Sequence, residues 1–273
     1  TPLRVLQAPR TDLTGEGLVF VDAAVDVVRL RATRNGADLS FGGAADAMVI
    51  FAHAFGPETE LNASEAAIRT LIVDGWQSGA LDARSVQTLL VRDGGMGADV
   101  TLADPGQSMS RAIVRGPLSG AWAVAGDVGI LLADELHADW HAEVAGRVRM
   151  IRTGTGSGHL TASALDRFDA ADVAGLHMRL TAPNPTVRPM SVFNVRGEFA
   201  DSDIRTAAGI RSVLAGSMSN VILFAGVDDG VTALPVRPAE FADEQAVLGR
   251  VLVRGRTGRP ATENVCIAAH QID

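Results

Sequence analysis

The chain has 273 residues, a net charge of −8 and an apolar fraction of 47%, a composition that suits a globular protein with a large core. No apolar run approaches the roughly 20 residues that a membrane-spanning helix needs, and the first residues lack the apolar segment of a secretion signal. The acidic balance argues against a general nucleic-acid binder, which would carry a basic surface. We therefore expect neither membrane insertion nor nucleic-acid binding.

The basic and sulfur-containing residues exclude several kinds of chemistry. All 24 basic residues are arginine, since the sequence contains no lysine. Mechanisms that need a lysine, such as a Schiff base, a Ser-Lys dyad or a phosphate-binding P-loop, are therefore excluded. The single cysteine, Cys266, cannot form an internal disulfide or a cysteine-based zinc site.

Four segments of the chain share a pattern in which an apolar run is followed by a glycine-rich turn and a second, partly alternating run. They are Val27 to Phe41, Thr88 to Ala103, Arg147 to Leu165 and Arg250 to Ala268. Asn35-Gly36 in the first segment is typical of a two-residue hairpin, because both turn positions need a positive φ. We interpret at least three of the four segments as β-hairpins.

Fewer segments are predicted to form helices than strands. Asn62 with Glu65 resembles a helix cap, and a second helix is predicted to begin at Asp82, which gives a helical hairpin between Leu61 and Asp93.

A third helix is predicted to begin at Asp201 or Ser202 and to end at Gly216.

The predicted fold is mainly β, with antiparallel sandwich or barrel-like sheets, the helical hairpin and one further helix. Many short runs rich in Val, Ile and Phe, separated by Gly and Pro, favour this class. A boundary at Gly116-Pro117 divides a mixed α+β part, residues 1–116, from a β-rich part, residues 117–273.

The segment DELHADWHAE, residues 134–143, contains two of the six histidines and four carboxylates. In a helix, His137 and His141 would share a face at the spacing of a two-histidine metal pair. In a strand, His137, Asp139 and His141 would share a face and supply the ligand types of a non-haem iron site. The third interpretation is a solvated polar segment that Trp140 anchors in the core. We expect the third, and therefore no bound metal.

The remaining motifs do not indicate a catalytic or cofactor-binding site. The glycine-rich segment 152–158 fails the dinucleotide pattern because His159 occupies the third glycine position, so a hairpin tip is expected there. No G-x-S-x-G elbow occurs. Asp166, Asp169 and Asp172 do not fit a calcium loop and are interpreted as a charged turn or one face of a short helix. The sequence therefore predicts no cofactor.

The glycine-punctuated segments NGADLSF, GTGSGHLTAS and GRTGRPATEN, with runs rich in Ala and Val, resemble virion proteins of tailed phages and gene transfer agents. The resemblance is to head-fibre, spike, decoration and tail proteins as a class. It implies a non-enzymatic, homo-oligomeric β-protein that either decorates a particle, in contact with other virion or assembly proteins, or binds host-surface glycan. It also implies a location in a virion, or in the cytoplasm before assembly.

Composition supports self-association independently of this resemblance. Apolar residues make up 47% of the chain but aromatic residues only 4%, so small aliphatic side chains dominate. Sheets built from small aliphatic side chains suit contacts between copies of the chain better than they suit deep ligand pockets, which favour aromatic linings. The alternative function is a metal-dependent hydrolase or oxygenase that uses His137, Asp139 and His141.

Overall fold

The computed structural model describes residues 4–13, 18–20, 25–34, 36–44, 47–182, 189–255 and 260–272. These residues form strands in parallel pairings and contain no α-helix, only a short 3-10 turn at Pro238–Glu240. The strands are β1 (Val5–Leu13), β2 (Leu18–Phe20), β3 (Val27–Thr33), β4 (Asp38–Phe41), β5 (Met48–Phe51), β6 (Thr59–Val73), β7 (Gly79–Val91), β8 (Asp99–Leu102), β9 (Met109–Val124), β10 (Val128–Ala170), β11 (Asp172–Leu180), β12 (Met190–Thr206), β13 (Ile210–Ala225), β14 (Val247–Val253), β15 (Thr262–Ala269) and β16 (Gln271–Ile272).

The spacing of paired residues identifies a parallel β-solenoid, in which the chain winds in coils and each coil pairs with the next. Thr155 pairs with Asp172, and Leu61 pairs with Leu81. In both pairs, the partner lies one coil further along the chain. Because the chain runs in the same direction in every coil, all these ladders are parallel.

The chain divides into two compact units. The first contains residues 1–135 and 139–146, and the second contains residues 136–138 and 147–273. The boundary predicted at Gly116-Pro117 falls within β9, inside the first unit.

The interior of the first unit contains stacked side chains from successive coils. One such ladder, in which each residue pairs with the next, consists of Leu39, Leu61, Leu81, Val100 and Trp122. All five are at most 3% exposed. Full burial of one side chain of this kind stabilises the fold by about 1.5–3 kcal/mol, so a repeated apolar position holds successive coils together.

The interior of the second unit has an aromatic stack. Phe168 pairs with Phe193 in the next coil, and their rings lie 4.8 Å apart and nearly parallel, with an interplanar angle of 9°. Phe199 lies 5.0 Å from Phe193. The ladder continues from Phe193 to Val213 and then to Val251.

The prediction of antiparallel sandwich or barrel-like sheets is wrong. The strands on either side of the predicted first hairpin, β3 and β4, do not pair with each other. β3 pairs in parallel with β1 and β5, and β4 pairs with β2 and β6. Gly36 has the positive φ that the motif predicts (68°), but it makes a turn between strands of one coil. Asn35 lies outside the described residues.

The predicted helical hairpin between Leu61 and Asp93 is also wrong, because this segment forms β6 and β7. Its helix-like spacing has a local cause. The register of β6 shifts between Ala63 and Ala67, and this shift interrupts the alternation of buried and exposed residues.

The third predicted helix, from Asp201 or Ser202 to Gly216, is a pair of strand segments in β12 and β13. Asp201 and Asn220 both have a positive φ, 48° and 53°, and Asn264 has a φ of 49°. The Asn220 amide donates to Asp201 Oδ1 at 2.8 Å, and the Asn264 amide donates to Asn220 Oδ1 at 3.1 Å. Asp and Asn tolerate this left-handed conformation, so the three residues make a stacked turn and not a helix cap.

A long insertion separates β13 from β14. The interval between the ladder partners Ile210 and Leu248 is nearly twice the interval between Met190 and Ile210, which pair one coil earlier. Val227 in the insertion packs with Phe224 of β13 and Ala268 of β15 in a small apolar cluster. The insertion therefore covers part of the outer surface of the second unit.

Candidate functional site

The segment DELHADWHAE is part of β10, so its helical interpretation is wrong. Leu136 and Trp140 are buried, at 1% exposure each, whereas His137, Asp139 and His141 are exposed. Across the described residues, no group of three His, Cys, Asp or Glu side chains is placed to hold a metal ion. No observation therefore favours the hydrolase or oxygenase alternative, and the expectation of no bound metal stays a prediction.

The glycine-rich segment 152–158 is also extended within β10 and is not a hairpin tip. Gly156 is buried, and a Cβ there would lie 3.3 Å from the Phe168 ring. Ser157 Oγ donates a hydrogen bond to the Leu136 carbonyl at 2.7 Å. The glycine at position 156 thus serves packing inside the coil.

The three aspartates interpreted as a charged turn or a short helix face lie in strands, Asp166 and Asp169 in β10 and Asp172 in β11, so both interpretations are wrong. Asp166 forms an ion pair with Arg147, and Asp172 Oδ1 accepts a hydrogen bond from the Glu198 backbone at 2.8 Å. Asp169 faces outward and takes part in a polar cluster. Each aspartate has its own partner, so the three do not act together as a calcium loop would require.

The polar cluster around Asp169 is the candidate site. A depression of about 230 Å³ on the second unit is lined by Arg152, Arg167, Asp169, Asn194 and Arg196. Arg167 donates to both oxygens of Asp169, one of them at 3.1 Å, and the Asn194 amide donates to Asp169 Oδ1 at 3.0 Å. Three guanidinium groups therefore border a depression that holds a single carboxylate.

The electrostatics of the cluster favour an ionised Asp169, whose side chain is 17% exposed. Burial raises the pKa of Asp169, but hydrogen bonds from Arg167 and Asn194, with the charges of Arg167 and Arg152, outweigh it. The pKa of Asp169 is therefore below its ordinary value. Asp169 neutralises one arginine, and the depression keeps an excess of positive charge.

A second depression of about 230 Å³ lies on the same unit, along β10, β11 and β12. His159 and His177 pair in adjacent coils, and their rings stack at 4.7 Å with an interplanar angle of 13°. Arg205 donates to Asp203 at 3.0 Å and to the Val231 carbonyl of the insertion at 2.8 Å. Arg205 thus fastens the insertion beside the histidine pair.

Sequence reasoning missed both depressions, because their members are far apart in the chain and meet only through the coil register. An indirect signal was present: Arg167, Asp169, Asn194 and Arg196 occupy alternate positions in two runs. Such alternation is typical of the outward face of a strand.

Comparison with protein-family models, curated proteins and solved structures gave no match to this chain. No helix in the described ranges has the length and apolar character to cross a membrane.

Proposed function

We propose that this protein is a non-enzymatic structural component of a virion, of the head-fibre, spike, decoration or tail kind, and that it acts through contacts between its own copies. The sequence resemblance to such proteins supports the proposal. So does the solenoid fold, a repetitive arrangement in which backbone hydrogen bonds join each coil to its neighbours. This construction suits a mechanical or spacing role.

The observation that supports self-association is a column of apolar side chains on the outside of the first unit. Phe51 pairs with Ile72, Ile72 with Leu90, and Leu90 with Ile113, so four large apolar side chains stand in register on successive coils. All four are only partly buried, while their strand neighbours point into the core. We call these four residues the outer apolar column.

Charged residues of both signs border the outer apolar column. Asp74 and Arg92 form an ion pair of 2.6 Å in the coils of Ile72 and Leu90, and Arg111 lies beside Ile113. An apolar centre with a polar rim is typical of protein interfaces. Because the rim carries both charges, two copies related by a two-fold axis can pair unlike charges across it.

Light scattering coupled to size exclusion tests the proposal. The wild-type chain is expected to give the mass of a dimer or larger oligomer at micromolar concentration, and Leu90→Glu is expected to lower that mass to the monomer. Thr101→Glu, an exposed position of β8, introduces the same charge elsewhere on the first unit and is the matched control. A monomeric wild-type protein, or equal effects of the two variants, would contradict self-association through this column.

The virion assignment has a separate test. Mass spectrometry of particles purified from the native source is expected to find this chain at a constant ratio to the other particle proteins. If the chain is missing from purified particles, the virion assignment is wrong whatever its oligomeric state.

A further inference from the structure

We infer that one outer face of the second unit binds a linear polysaccharide that carries carboxylate or sulfate groups. We call it the arginine face, and it consists of the outward side chains of Arg152, Arg167, Arg196, Arg250 and Arg254. The inference extends the proposed function by naming a ligand, but it does not depend on self-association. The polar cluster around Asp169 is one end of this face.

The register places Arg167 and Arg250 in one column, three coils apart. Arg167 pairs with Val192, Val192 with Ser212, and Ser212 with Arg250, which makes one outward column. In the neighbouring column, Asp169 pairs with Asn194.

Arg152 and Arg196 complete the near end of the face, since both line the depression around Asp169. Arg254 lies at the other end, where its backbone N–H donates to the Ala215 carbonyl of the preceding coil at 3.0 Å. Coils stack about 4.8 Å apart, so the face offers cationic groups over a length of roughly 20 Å.

Most of these guanidinium groups are available to a ligand. All five arginines are exposed. Within the described parts of the chain, only Arg167 has a carboxylate as a hydrogen-bond partner, and that is Asp169. Together, the five arginines and Asp169 carry an excess of positive charge. A guanidinium fork donates two parallel hydrogen bonds to a carboxylate or sulfate group, which a lysine would not do.

The groups between the arginines favour a sugar polymer over a nucleic acid. Val192, Leu214 and Leu252 are outward and half-buried, and they offer aliphatic surface for the C–H faces of sugar rings. No aromatic side chain stands at the outward positions of these columns in the described residues, since Phe168 and Phe193 point into the core. Single-stranded nucleic acids bind largely by stacking on aromatic side chains, which the described outward positions of these columns do not offer.

The test uses the whole chain with heparin, which is sulfated, polygalacturonate, which carries only carboxylates, and neutral dextran. We expect calorimetry to detect binding to heparin or polygalacturonate that weakens as salt rises, and no binding to dextran. Arg152→Gln combined with Arg196→Gln is expected to weaken that binding by about tenfold. The matched control, Arg69→Gln with Arg115→Gln, removes the same charge from exposed arginines of the first unit and is expected to change the affinity by less than about twofold.

Each remaining outcome overturns the inference. Equal losses in the two double variants would mean that binding follows total charge and not this face. Tighter binding to single-stranded DNA than to either acidic polysaccharide would assign the face to nucleic acid. Loss of oligomer mass in the Arg152 and Arg196 variant would assign it to a second copy of the chain. Circular dichroism spectra that match the wild type establish that the variants are folded, and Leu90→Glu, if monomeric, separates this binding from self-association.

Discussion

The two units use the same coil register to present different surfaces. In the first unit, the residues at one outward position are Phe51, Ile72, Leu90 and Ile113, an aliphatic and aromatic column. In the second unit, outward columns carry the arginine face. Because each coil contributes one residue to a column, the chemistry of a solenoid surface depends on residues that lie a full coil apart in the sequence. Neighbours in the sequence contribute to other faces or to the core.

The interiors of the units differ as well. All three tryptophans, Trp76, Trp122 and Trp140, belong to the first unit, where they are at most 3% exposed. The second unit has the stack of Phe168, Phe193 and Phe199 instead. Tryptophan fluorescence therefore reports on the first unit alone, which makes the comparison of the two units measurable.

The largest expected effect comes from removing the centre of the aromatic stack. Phe193→Ala should lower the free energy of unfolding of the second unit by about 3–5 kcal/mol, because it leaves a cavity against two rings. Residues of a solenoid contact only neighbouring coils, so the loss should stay local. In urea, the circular dichroism transition should begin earlier while the tryptophan transition keeps its midpoint.

The corresponding variant of the first unit is Leu89→Ala, since Leu89 is fully buried there. This variant should shift the tryptophan transition to lower urea concentration. If Phe193→Ala shifts the fluorescence and circular dichroism transitions equally, the two units unfold together and the comparison fails.

A somewhat smaller effect is expected at a glycine of the first unit. Gly79 has a φ of 120°, and a Cβ there would lie 2.0 Å from the Thr59 carbonyl oxygen. Gly79→Ala combines backbone strain with a steric clash and should cost about 3 kcal/mol. Gly175 in the second unit, with a φ of 73° and no atom within 4 Å of its Cβ position, is the control. Gly175→Ala should cost only about 1–2 kcal/mol, and equal losses in urea unfolding would contradict the role given to the clash.

The smallest expected effect concerns Asp169 and pH. Its pKa is lower in the folded protein than in the unfolded chain, so its ionised form stabilises the fold above about pH 4. This stabilisation is lost as the pH falls through the folded-state pKa. Asp169→Asn should therefore cost about 1 kcal/mol at pH 7 and progressively less below about pH 4.

Asp74 in the first unit provides the comparison for Asp169. It pairs with Arg92, but both side chains are more than a third exposed. Asp74→Asn should change stability by less than about 0.5 kcal/mol at any pH. A pH-independent loss in Asp169→Asn, measured by urea unfolding from pH 3 to 7, would contradict the electrostatic account.

Individual strands could be predicted from the sequence, but their pairing could not. The run LHMRL alternates clearly and lies in β11. The pairing depends on coil length, and the interval from Ile210 to its partner Leu248 is more than twice that from Thr155 to Asp172. A sequence with so variable an interval has no fixed repeat, so short turn motifs such as Asn35-Gly36 suggested hairpins instead.

The candidate site was less predictable than the fold. The polar residues of DELHADWHAE are close in sequence and suggest a site, yet strand alternation leaves them exposed around the buried Trp140. The cluster of Arg152, Asp169 and Asn194 forms only when three coils are in register. Local sequence does not specify that register, so no motif search could have assembled the cluster.

Because of the insertion between β13 and β14, the number of residues in a coil does not determine how far the chain advances along the solenoid axis. Ile210 and Leu248 are ladder partners although the whole insertion lies between them. The extra residues therefore do not increase the distance between the two coils. A change in the length of this segment would therefore leave the separation of Arg196 and Arg254 unchanged. The intervals along the arginine face are set by the spacing of the coils and not by the number of residues in the insertion.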